Sequence, residues 1–268
     1  MGKEGVVFMK YLKYLIKQDD ILTDDGEIVE VYELSDNIDP TSFDEWANHF
    51  RNQYCPDGMI DMLVSGTGLT KEEYLLQTIF PDESKDFGPA TRSGDFAELL
   101  VSDYLEFILG YIVPRERYKK KYNKNNSTQG TDIIALKMLS EKHSSNDEFL
   151  TFEVKAQASG GAPKNRLQDA VNDSYKDAIR KGESLNALKH IYLEKQDFDN
   201  AKMIEGFQNK PDRPYVEKQG AAAIHTTDTF SESLIKKVKI KDKIWMIVIK
   251  KNNLMNLIHE LYRRAAQC

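Results

Sequence analysis

The sequence predicts an α/β protein: a central mixed sheet flanked by helices, with an acidic α+β region at its N-terminal end. Three observations carry this. Residues 151–157 alternate strictly, with Thr151, Glu153, Lys155 and Gln157 on one face of a strand and Phe152, Val154 and Ala156 on the other. Residues 244–249 are a continuous apolar run, which suits a strand buried on both faces. Apolar residues at helical spacing recur before and after these strands, over 96–109 and 253–265. At 268 residues the chain suits one large domain or two unequal ones, and its 40% hydrophobic content suffices for a core.

Taken in order, the spacing predicts a helix over 8–18 and a strand over 27–34. A second helix opens at Thr41 or Ser42, followed by Asp44 or Glu45 in a capping-box pattern, and a third spans 70–79. Residues 81–92 hold Pro81, Gly88 and Pro89 and are the best boundary, dividing the chain into an acidic region, 1–88, and a core, 89–268. The next helix starts at Ser93 or Asp95 and stops at Gly110. Tyr111, Ile112 and Val113 begin a first strand. Residues 130–136 and 151–157 give two more, joined as a hairpin by the polar loop 137–148. Helices over 165–180 and 185–193, a small-residue strand over 221–225, the apolar strand over 244–249 and a closing helix over 253–265 follow.

The net charge of −6 conceals a division. Residues 1–110 hold 8 Lys and Arg against 23 Asp and Glu, and the remainder 29 against 20. In the basic part, Arg115, Arg117, Lys119, Lys120, Lys121 and Lys124, interleaved with tyrosines, are the candidate DNA-binding stripe, since clustered cations attract phosphate whatever the sequence. A second cluster, Lys236, Lys237, Lys239, Lys241 and Lys243, reads equally as a solvated face. The acidic part is expected to cover the basic face or to dock a partner. Cys55 and Cys268 are far apart and lack metal-ligand spacing, which excludes a disulfide framework and a zinc site. No apolar run is long enough to span a bilayer and residues 1–20 lack a signal-peptide pattern, so a cytoplasmic protein without a membrane segment is expected.

The chemistry-bearing residues are Glu153 and Lys155, side by side on one strand face, and Asp132, which the hairpin turns toward Glu153. Taken alone, Glu-x-Lys on a half-exposed strand is the pattern of a solvated ion pair. A third acid changes the weighing. On the helix that starts near Ser93, Phe96, Leu100, Val101, Tyr104, Phe107 and Ile108 form an apolar stripe, and Asp95, Asp103 and Glu106 the solvated face. Glu98 falls about 20° from Leu105, at the stripe's border, where a carboxylate needs a cation or a donor. Glu98, Asp132, Glu153 and the Val154 carbonyl are hard oxygen donors that suit Mg²⁺ or Mn²⁺. Lys155 would orient an attacking water or stabilise developing charge, and Gln157, on the same face, would position the water or touch a phosphate. A helix acid, an Asp and Glu-x-Lys in this order are the signature of the PD-(D/E)XK core, the restriction-endonuclease-like fold. Arg166, Asp169, Asp173 and Lys176 recur on one helix side as DNA or partner contacts or as a salt-bridged surface, and His225 ends a strand.

Trp46-Ala47-Asn48-His49-Phe50-Arg51-Asn52-Gln53-Tyr54-Cys55, Gly94-Asp95-Phe96-Ala97-Glu98-Leu99-Leu100, Gly130-Thr131-Asp132 and Phe152-Glu153-Val154-Lys155 together resemble the HamA/AbpA family, nuclease subunits of Hachiman-type anti-phage systems. The likeness spans most of the chain, though only the Glu…Asp…Glu-x-Lys set is mechanistically specific. It implies a metal-dependent deoxyribonuclease that acts on DNA with a DExH-type helicase partner. By matching position, Asp132 and Glu153 would be metal ligands, Lys155 the catalytic lysine and Glu98 the helix acid. The chain has Gly130-Thr131 before Asp132 where the name motif has Pro. Two other classes stay open: a stand-alone, dimerising restriction endonuclease that reads a sequence, and a non-catalytic binding or inhibitory subunit. A homo-oligomer is equally open.

Overall fold

Among the described residues, seven strands form one mixed sheet in the order β1-β3-β7-β6-β5-β4, with β2 added to β3. The structure, a computed structural model, describes residues 9–121, 123–126, 130–140 and 143–268; the side chains of Lys120, Ala178 and Ile179 lie outside the described residues. The strands are β1 Leu15–Lys17, β2 Ile21–Leu22, β3 Ile28–Leu34, β4 Ile133–Lys137, β5 Glu148–Gln157, β6 Val216–Thr226 and β7 Trp245–Lys251. β3, β7, β6 and β5 run parallel to their neighbours, whereas β4 closes one end antiparallel to β5 and β1 and β2 close the other antiparallel to β3. The helices are α1 Pro40–Tyr54, α2 Asp57–Val64, α3 Lys71–Tyr74, α4 Gly88–Asp103, α5 Arg166–Ser174, α6 Asp177–Glu194, α7 Phe198–Gln208, α8 Glu232–Lys236 and α9 Leu254–Gln267.

Alternation divides the core into layers. Phe152 and Val154 of β5, Ala222 and Ile224 of β6 and Ile247 and Ile249 of β7 meet α1, α4 and α9. Ala221, Ala223, Met246 and Val248 point the other way, onto α5 and α8. Ile134, Leu136 and Phe149 lie under α6 and α7. With helices on both sides, β7 has no solvent face, which is why its sequence is continuously apolar. At Gly220, in register with Phe152, a Cβ would lie 2.1 Å from the Phe152 ring. That ring is fully buried and packs edge-on to Trp245. Gly220→Ala is therefore expected to destabilise the fold by about 1–3 kcal/mol. Urea unfolding checks it, and an unchanged midpoint would count against this packing.

Several expected boundaries move. Of the helix expected over 8–18, Phe8 lies outside the described residues, and over 9–18 the structure has a 3₁₀ turn, Lys10–Tyr14, and then β1, because Leu15, Ile16 and Lys17 are captured by pairing with β3. α1 is capped by Asp39, whose side chain accepts from the Ser42 N–H, and not by Thr41 or Ser42. α4 starts at Gly88, since Pro89 fits a first helical turn, and continues as a π-helical turn, Tyr104–Ile108, before Gly110 at φ 72°. Tyr111 to Val113 form no strand, only a bridge from Ile112 to Leu136. The helix expected over 165–180 breaks at Tyr175 and Lys176, so that α6 begins at Asp177. α7 and α8 were not anticipated. The expected boundary at residue 88 does not separate two cores: β3 is hydrogen-bonded to β7 inside the sheet, and α1 packs on α9.

Candidate active site

β5 outruns its neighbour. Ile133 is the last β4 residue in register, opposite Phe152, so the β4 side of Val154 to Gln157 is left open. Asp132 folds over this gap and its Oδ2 accepts the Val154 N–H at 3.0 Å. The N–H and C=O of a strand residue face the same neighbour, so the Val154 carbonyl opens onto the same side. Glu153 and Lys155 project from β5 toward α5 and α6, with Lys155 Nζ 3.6 Å from Glu153 Oε2 and 2.8 Å from Asp173 Oδ2. Glu98 arrives from α4, on the opposite face. Its Oε2 accepts from the Tyr118 hydroxyl at 2.7 Å and lies 3.3 Å from Arg117, whose guanidinium also stands 3.5 Å from Asp132 Oδ1. The cluster thus straddles the end of β4, with Arg117 spanning the two faces. Asp132, Glu153, Lys155 and Arg117 line a cleft of about 730 Å³ whose far wall is α6.

Burial governs the electrostatics. It lifts Glu153 to about 9, with the charges of Asp132 and Asp177 adding to the effect. It lifts Glu98 to about 8 against the pull of Arg117, and Asp177 to about 6. For Lys155 burial acts to lower the pKa, but Asp173 and the other acids more than offset it and hold the ammonium charged. Three carboxyls therefore keep protons in the folded chain at pH values where the unfolded chain, near pH 4, has released them. The metal-free protein is expected to be most stable near pH 5 and to lose stability as pH rises toward about 9. Melting temperatures in EDTA from about pH 5.5 to about 8.5 should fall, and less steeply for Glu153→Gln; a flat or rising wild-type profile would contradict this.

The donor set fits a hard divalent cation: it is all oxygen, and Glu153 Oε1 and Asp177 Oδ2 are buried without a hydrogen-bond partner. Among the described residues, no three His, Cys, Asp or Glu side chains group closely enough to form a ready cage. Arg117 instead holds Glu98 and Asp132.

A model of the HamA family matches residues 9–265. The chain belongs to the HamA family. A comparison with curated proteins returns no match. In this HamA-family chain no helix among the described residues is long and apolar enough to cross a membrane.

The basic stripe is placed differently from its expected role. Arg115 is buried and bound to Asp103 and Glu106, and Lys121 binds Asp95 at 2.5 Å. Lys124 binds Asp82 at 2.7 Å, and Lys119 lies 3.6 Å from Glu116. Arg115, Arg117 and Lys121 run back along α4, giving one cation to each of Asp103, Glu98 and Asp95. They neutralise buried acids, where solvent-facing phosphate contacts were expected. The Lys120 side chain lies outside the described residues. Gln157 is also committed elsewhere: its amide donates to Ala162 O and accepts from Lys164 N, both at 3.0 Å, bracing the loop before α5, and it does not line the cleft. His225 is buried and held down to about 4, first by burial and then by Arg166, as suits a neutral strand-end histidine. The cations that do line the cleft beside Lys155 and Arg117 are Lys176 and Arg180. Arg180 and Asp177 are not marked by the sequence pattern, because an uninterrupted helix over 165–180 conceals the break before α6.

Proposed function

We propose that this chain is a divalent-cation-dependent DNA nuclease with a PD-(D/E)XK-type core, the effector of an anti-phage defence system acting with a DExH-type helicase partner. The observation that carries the reading is the meeting of Asp132, Glu153 and Lys155 at the open edge of β5, inside a cleft of about 730 Å³ that Lys176 and Arg180 also line. Asp132, Glu153 and the Val154 carbonyl would hold Mg²⁺ or Mn²⁺, with Glu98 at the margin. Bound there, the cation would lower the pKa of a water and offset charge on the phosphate under attack. Lys155, kept protonated by Asp173, would orient the attacking water and stabilise negative charge as it develops. Lys176 and Arg180 draw the backbone into the cleft. Arg117 lies across Glu98 and Asp132, which supports a resting form that cleaves poorly until the partner or DNA shifts it. The antiviral role and the helicase rest on family membership.

The test is incubation of the purified chain, alone and with its helicase, on plasmid and linear DNA with Mg²⁺ and with EDTA. Cleavage is expected with Mg²⁺ only, and more with the helicase. Lys155→Ala should lower turnover by about 10²–10³-fold with Mn²⁺ affinity largely kept. Absence of cation-dependent cleavage under every condition would leave a non-catalytic subunit as the better reading.

A further inference from the structure

Asp177, a buried acid bonded to the cleft-lining Thr131, has no role in the reading above. It is the first residue of α6, directly after the break at Tyr175 and Lys176, and is 0% exposed. Its Oδ1 accepts from Thr131 Oγ1 at 2.9 Å, and its Oδ2 is buried with no hydrogen-bond partner. Glu153, 3% exposed, is close enough for the Asp177 charge to act on it, and its Oε1 is likewise buried without a partner. Of the nearby cations, Lys155 is engaged with Asp173 and Glu153 Oε2 and Arg117 with Glu98 and Asp132, and Arg180 acts on Asp177 through its charge.

The three acids are also fixed relative to one another. Thr131 precedes Asp132 in the chain and tethers Asp177, the Val154 N–H tethers Asp132, and β5 itself carries Glu153. Two buried carboxylate oxygens from two different elements thus lie beside the cleft with no donor but a carboxyl proton of their own. A buried pair of this kind holds a shared proton or, in its place, a positive ligand.

We propose that Asp177 is a further cation-holding carboxylate of this site, taking a divalent cation of the Mg²⁺ or Mn²⁺ class together with Glu153 through the two oxygens that lack a donor. Thr131 then acts as its positioning residue. The proposal rests on the nuclease reading only in that Asp132 and Glu153 hold a cation.

The experiment is Mn²⁺ binding by the full chain without DNA, read from the signal of free Mn²⁺ in electron paramagnetic resonance, with melting temperatures in EDTA alongside. Wild type is expected to bind Mn²⁺, and Asp132→Asn to lose about tenfold or more. Asp177→Asn should weaken binding about 10- to 100-fold, with its melting temperature in EDTA unchanged or raised, because a buried acid has become an amide able to donate to Glu153. Thr131→Val, which frees Asp177 without removing it, should weaken binding about threefold. Wild-type affinity in Asp177→Asn beside a loss in Asp132→Asn overturns the role of Asp177 and leaves the nuclease reading standing. A wild type that binds no Mn²⁺ overturns both. Should Asp177→Asn fail to fold, unchanged affinity in Thr131→Val overturns the proposal.

Discussion

Asp132→Asn or Glu153→Gln is expected to lower Mg²⁺-supported DNA cleavage by about 10³-fold or more while leaving the fold intact. Stabilisation by a bound cation is worth several kcal/mol, and each 1.36 kcal/mol is about tenfold in rate. Removing one of two principal carboxylates forfeits most of it. The fold should survive for reasons specific to each position. An amide oxygen at 132 still accepts the Val154 N–H, and at 153 an amide removes a buried acid whose neighbours, Asp132 and Asp177, already disfavour its charge. Initial rates on supercoiled plasmid, with circular dichroism melting as the control, decide the matter. Activity within tenfold of wild type in either variant would remove these residues from the site.

Arg115→Ala is expected to destabilise the protein by about 3–5 kcal/mol, more than any surface change. Asp103, 1% exposed, lies beneath this guanidinium and also receives the Tyr11 hydroxyl at 2.5 Å and His49 Nε2 at 2.9 Å. Burial alone would raise the Asp103 pKa; Arg115, with help from His49, instead holds it down at about 2, so the carboxylate stays charged. Truncating Arg115 would leave that charge buried with only the Tyr11 hydroxyl and the His49 ring as partners, and would release Glu106 as well. Urea unfolding at neutral pH measures the loss. A change under about 1 kcal/mol would mean that Asp103 finds other compensation and that the pair contributes little.

The same residue shows where sequence reading stops. β5 and β7 were legible because alternation and a continuous apolar run have no cheaper explanation than strands. Asp132, Glu153 and Lys155 followed from them, since a hairpin dictates which residues face each other. The face of α4 bearing Asp95 and Asp103 was expected to be solvated, yet both are buried. The helical wheel placed Phe96, Leu100, Val101 and Tyr104 correctly in the core but not Ile108, which is exposed, and spacing along a helix cannot report that a later segment, 115–121, returns with one cation per acid. A lysine facing water and a lysine facing a carboxylate read alike in a sequence, so the spacing of the stripe does not separate a phosphate track from a set of counter-ions. Asp177 was hidden by a two-residue break that carries no proline or glycine at Tyr175 or Lys176.

β3, drawn from the acidic third of the chain, is an interior strand. It bonds to β7, β7 to β6, and β6 to β5, which bears Glu153 and Lys155. Whatever grips the rim at β1 and β2 therefore holds one end of a continuous hydrogen-bonded lattice whose other end is the cleft. Such a lattice transmits strain as a change of twist, because close-packed interiors yield little. The acidic third is thus built into the sheet that carries the cleft, and cutting it away would remove β3 from beside β7.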